Sequence, residues 1–95
     1  MPMAVAEICL FPLGTESPSV GKYLEPVIEV IEKSGLKYMV CPMGTVVEGS
    51  VEEILELVKK CHEAILKAGA KRVVISLKID DRVDKPLSIE GKLGR

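Results

Sequence analysis

Leu10-Phe11-Pro12-Leu13-Gly14-Thr15-Glu16-Ser17-Pro18-Ser19 is the stretch on which the fold turns. Ahead of it an apolar run, Met3 to Phe11, reads as a buried strand, and behind it an amphipathic pattern begins at Val20. Pro12 has no N–H to give a sheet ladder, so the strand ends there. Gly14 permits a tight turn, and Ser17 before Pro18 matches a helix N-cap with proline at the first helical position. The hydroxyls of Thr15, Ser17 and Ser19 therefore gather at a helix start, beside free backbone N–H groups. They either cap the helix and do nothing more, or they begin a site for a polar small molecule.

Outward from this stretch, the first strand alternates. Ala4, Ala6, Ile8 and Leu10 share one face; Val5, Glu7, Cys9 and Phe11 share the other. Glu7 marks the second face as turned away from the core helices. Val5, Cys9 and Phe11 still leave it too apolar for open water, which points to an oligomer. Val20 to Lys33 has helical spacing, with Pro26 expected to kink it or confine its regular part to the second half. Leu36–Val40 and Thr45–Glu48 read as strands around a Cys41–Gly44 turn. Ser50-Val51-Glu52-Glu53 is a capping box. It opens a helix to about Ala68, with the stripe Val51, Ile54, Leu55, Val58, His62, Ile65 and Leu66. His62 lies at the edge of that stripe, as a half-buried core histidine or, less simply, a ligand. Lys71–Asp80 is the last strand. The tail, 83–95, holds at most a short helix, with Leu87, Ile89 and Leu93 free to dock on a neighbour.

Composition narrows the function classes. The 95 residues make one domain with one modest core, 47% hydrophobic and therefore folded. Aromatics stop at Phe11, Tyr23 and Tyr38, so there is no stacking platform for single-stranded nucleic acid. The net charge of −1, without a basic block, also argues against nucleic acid. No apolar run reaches membrane-spanning length and the N-terminus lacks signal-peptide character, so a cytoplasmic location is expected. Cys9, Cys41 and Cys61 form no Cys-x-x-Cys pair. They read as small buried hydrophobes; neither a metal nor a cofactor is expected.

The order strand, helix, strand, strand, helix, strand is that of the α+β, ferredoxin-like split β-α-β sandwich. Right-handed crossovers give an antiparallel sheet in the order 4-1-3-2 with both helices on one face. The Pro12–Ser19 loop and the Pro42–Thr45 turn then share one end. Glu48, Gly49 and Asp80-Asp81-Arg82 share the other, roughly 10–20 Å away. Asp80 and Arg82 are expected to pair at that strand end or to bridge subunits.

Pro12-Leu13-Gly14-Thr15 with its serines, Met43-Gly44-Thr45 with Glu48, His62-Glu63-Ala64, and Lys78-Ile79-Asp80-Asp81-Arg82 occur in one register over Met3–Arg82. Together they resemble the small thiamine-binding, YkoF-like (UPF0045) proteins. The resemblance implies a ferredoxin-like fold, homotetramers with sheets packed face to face, and binding of thiamine or its hydroxymethylpyrimidine half without catalysis. The tail departs from the pattern, where relatives carry a longer charged helix. An aminopyrimidine presents donor and acceptor edges that a carboxylate and hydroxyls can match. The ligand-binding set expected on this basis is Thr15, Ser17, Ser19, Gly44, Thr45 and Glu48. Glu48 is the carboxylate, unless it is only a strand-end acid near a helix N-terminus.

Two other functions compete: a regulatory ligand-sensing module of the same fold, built by side-by-side sheets, and an uncharacterised enzyme. Acylphosphatases share the architecture but need an arginine in the first loop, and Pro12–Ser19 contains none. Asp80 and Asp81 point apart as neighbours on a strand end and make a poor acid/base dyad.

Overall fold

A computed structural model describes residues 3–15 and 20–94. Its elements are β1 (Ala4–Pro12), α1 (Gly21–Lys33), β2 (Lys37–Cys41), β3 (Gly44–Gly49), α2 (Val51–Lys67), β4 (Val73–Asp80) and the short α3 (Ile89–Lys92). The sheet order is β2-β3-β1-β4, antiparallel at every pairing. With α1 and α2 packed on one face, this is the ferredoxin-like arrangement anticipated from the element order.

The period of β1 decides which side chains are sealed. Ala4, Ala6, Ile8 and Leu10, none more than 7% exposed, meet Val27 and Ile31 of α1 and Ile54, Leu57, Cys61 and Ile65 of α2 in the core. Val5, Glu7, Cys9 and Phe11 take the opposite face.

The helices correct three sequence expectations. In α2 the buried positions are Ile54, Leu57, Cys61 and Ile65, whereas Leu55 and Leu66 are exposed. The apolar stripe is therefore rotated toward Leu57 and Cys61, where α2 faces β1. His62 is half-buried beside that stripe. In α1 the N-cap position is Val20, which makes no side-chain cap bond. The Ser17-Pro18 start is thus not the start of this helix, and Ser17 and Pro18 lie outside the described residues. Pro26 lies within a continuous α1 and not at a break. Its missing N–H leaves the Lys22 carbonyl without the usual donor.

The cysteines divide. Cys61 is fully buried, and burial pushes its thiol up to about 11. Cys9 and Cys41 are only half-buried, contrary to expectation, because both stand on the face away from the helices. Arg82 pairs with Asp84 (Nε to Oδ1, 2.9 Å) and not with Asp80, because the chain turns sharply after β4 and brings Asp84 back beside it.

The capping box is complete: Glu53 N–H donates to Ser50 Oγ (3.1 Å), and Ser50 N–H donates to Glu53 Oε1 (2.9 Å). Ser50→Ala should lower stability by about 1 kcal/mol in a denaturant titration. The Ser50 N–H also holds the Glu53 carboxyl below its ordinary value of 4.5. The folded value is depressed, so this contribution is present above the unfolded value and is lost as the pH falls through the folded one. Glu53→Gln, which keeps the size and loses the charge, should therefore be less stable than the parent at neutral pH and converge with it once the pH has fallen through the folded value, whereas the loss in Ser50→Ala, which keeps the backbone N–H, should persist across that range. For Cys61, native-state alkylation at pH 8 should leave the thiol unmodified, with reaction only after unfolding, as read by mass spectrometry of its peptide.

Candidate functional site

The strand register lays out the face turned from the helices in rows. Lys37, Glu48, Val5 and Asp80 form one row across β2, β3, β1 and β4; Met39, Val46, Glu7 and Lys78 form the next. The chain beyond β4 folds back over the first row. Leu87 N–H donates to the Met3 carbonyl (2.9 Å) and Ile89 N–H to Glu48 Oε1 (2.9 Å). Glu90 pairs with Lys37, and Lys92 with Asp80. Ser88 caps α3 by accepting the Gly91 N–H (2.9 Å). Ile89 is 4% exposed as a result. The tail thus docks on its own sheet, whereas the sequence left it available to a neighbour.

Beside α3 the second row stays open and forms a depression of about 540 Å³, walled by Ile89, Lys92 and Leu93 and floored by Val5, Val46 and Met39. That volume falls in the range of small-molecule sites. Glu7, Lys78 and Asp80 supply its charge. Asp80 is engaged by Lys92. Among the described residues, Glu7 and Lys78 make no ion pair or side-chain hydrogen bond, although they are direct cross-strand neighbours. A Cβ at Gly44 would stand 3.3 Å from Glu7 Cγ, so the glycine is what lets Glu7 lie toward β3.

A second cavity of about 300 Å³ lies on the opposite side, between α1 and the β2–β3 turn. Leu24, Val27 and Ile31 wall it, and Gly44 and Thr45 close its end. Thr45 pairs with Ile8 and Val40 on the helix face and is 5% exposed.

The residues expected to share one site are distributed between these places. Glu48 and Thr45 are three apart on one strand and therefore point to opposite faces. Thr15, half-buried, follows the Pro12 end of β1, whereas Glu48 sits in the Val5 row. At a strand's rise of about 3.4 Å per residue, those two levels are roughly 24 Å apart along β1. Within one subunit the fold brings Gly44 and Thr45 together and leaves Glu48 at the far end under α3. Ser17 and Ser19 lie outside the described residues. Glu7 was missed, although a signal existed: it is the one charged residue in the Met3–Phe11 run.

The family model for thiamine-binding proteins matches residues 6–95. The chain is 47% identical over 93 residues to the UPF0045 protein MJ1052 of Methanocaldococcus jannaschii, covering 98% of this chain and 91% of that one. It is 36% identical over 95 residues to the UPF0045 protein YqgV of Bacillus subtilis, covering 96% and 91%. Its fold superposes on a candidate thiamine biosynthesis/salvage protein of Thermotoga maritima with a TM-score of 0.87, at 33% identity and with 98% and 97% of the two chains covered. On the strength of the model match and of relatives that span nearly its whole length, the chain belongs to the thiamine-binding, UPF0045 family.

Proposed function

We propose that this protein is a non-catalytic binding protein for thiamine or its hydroxymethylpyrimidine half, acting as a cytoplasmic homotetramer. The observation that carries the reading is the family match over residues 6–95 taken together with the depression beside Glu7. An aminopyrimidine offers an N–H donor to a carboxylate and ring nitrogens to a donor. Glu7 and Lys78 present that pair of partners side by side, over an apolar floor that suits a flat ring. The thiazolium cation adds attraction to the carboxylate. Asp80, held by Lys92, is not free to act as an acid/base partner of Asp81.

The tetramer is supported by the other corner of the same face. Phe11 and Val74 are cross-strand neighbours, 38% and 37% exposed, beyond the reach of α3. A second sheet laid against them would remove an aromatic–aliphatic pair from water.

A second reading places the ligand on the helix side, where the buried Thr45 closes the end of the smaller cavity. Thr15 would then be its candidate hydroxyl from the first loop, Ser17 and Ser19 being outside the described residues, and Glu48 would only hold the tail.

Isothermal calorimetry separates the two readings. Wild-type protein should bind thiamine or hydroxymethylpyrimidine, and Glu7→Gln should weaken binding by roughly 1.5–3 kcal/mol, with Thr45→Val unchanged. A loss in Thr45→Val with none in Glu7→Gln would move the site to the helix side, and no binding by the wild type would end the thiamine reading. In light scattering the wild type should give a tetramer mass. Phe11→Asp should give a smaller species, because the interface would have to bury an unpaired charge. A wild-type monomer would remove the assembly.

A further inference from the structure

We propose that the tail from Val83 to Gly94 is a strap that gates the open-face depression and lifts without unfolding the sheet. Its role as a gate for thiamine rests on the function proposed above; its lifting does not.

Among the described residues the strap has four polar ties, three to strands of the sheet and one to the residue that precedes β1. Leu87 N–H reaches the Met3 carbonyl just before β1, Ile89 N–H reaches Glu48 on β3, Glu90 reaches Lys37 on β2, and Lys92 reaches Asp80 on β4. The two ion pairs are at the outer edges of the sheet, with all four side chains between 41% and 52% exposed. Such pairs are weak in water and are screened by salt. Apolar anchoring is limited to two side chains: Ile89 is buried and Leu87 half-buried, whereas Leu93 is 50% exposed and Val83 is 99% exposed. The connection from Asp81 to Pro86 is exposed throughout, so it can act as a hinge without disturbing the core. Segments with few buried contacts and exposed ties open locally, at less cost than global unfolding.

What the strap covers makes its opening consequential. Ile89, Lys92 and Leu93 are one wall of the depression, and Cys41 also lines it. When the strap lifts, that wall is gone and the Glu48 carboxylate is released. A ligand lying over Val5 and Val46 would be held by the closed strap and would leave when it opens.

The test uses the full chain and two variants, Glu90→Lys, which reverses one tie, and Ile89→Ala, which removes the apolar anchor. Three readouts are needed: amide hydrogen exchange at Leu87 and Ile89, iodoacetamide labelling of Cys41 by peptide mass spectrometry, and the thiamine dissociation rate. Each variant should raise exchange at Leu87 and Ile89 by roughly tenfold or more, while the Ile8 and Val47 amides stay as in the wild type. Cys41 labelling and thiamine dissociation should accelerate in step, and added salt should move the wild type in the same direction. Exchange at Leu87 and Ile89 that rises only together with Ile8 and Val47 would overturn the strap. Faster exchange with unchanged Cys41 labelling would overturn the gate. A protein that never binds thiamine but shows the exchange and labelling changes would keep the gate and lose only the thiamine reading.

Discussion

An antiparallel sheet with helices on one side only must find something else for its second face, and that constraint governs most of this molecule. β1 lies between β3 and β4, so its odd and even residues set the two environments for the whole sheet. The even residues Ala4, Ala6, Ile8 and Leu10 are sealed by α1 and α2. The odd residues Val5, Glu7, Cys9 and Phe11 are left to whatever the rest of the chain, or another chain, can supply. Apolar side chains on that face gain by leaving water, whereas Glu7 would lose its hydration if it were covered without a partner.

The chain meets the constraint in two ways. At the Val5 end the cover is polar and local: α3 lies over the first row, held by one buried isoleucine, two backbone N–H donors and two ion pairs. At the Phe11 end no helix among the described residues covers the sheet, and Phe11 and Val74 remain partly exposed. Between the two lies Glu7, with Lys78 beside it and Gly44 leaving it space. An apolar floor with one carboxylate and one ammonium that have no ion-pair partner among the described residues fits a flat, hydrogen-bonding cationic ligand better than a purely apolar one. In the proposed reading, ligand and second subunit draw on different parts of one face.

Much of this was legible in the sequence where the governing rule is local. The strand period separated the two faces of β1 before any coordinates, and the Ser50–Glu53 capping box was readable from its spacing. The phase of α2 was not, because Leu55 and Leu66 are as apolar as Leu57 and Cys61, and only packing against β1 chooses between them. The charged contacts of the tail were hidden for a different reason. Glu48 is 41 residues from Ile89, and Lys37 is 53 from Glu90, distances over which no local pattern exists. Asp80 drew attention to Arg82 as a nearby partner, but the turn after β4 gave Arg82 to Asp84 and left Asp80 to Lys92. The parity of Thr45 and Glu48 was readable all along: two strand residues three apart cannot serve one face.

The central claim is that the ligand is held on the open face beside Glu7 and under α3. Amide chemical-shift mapping during a thiamine titration tests it most directly. The account predicts the largest shifts at Val5, Glu7, Val46, Lys78 and Ile89–Leu93, with Leu24, Val27 and Thr45 little changed. Shifts concentrated at Leu24, Val27, Val40 and Thr45, with the Glu7 row silent, would contradict it.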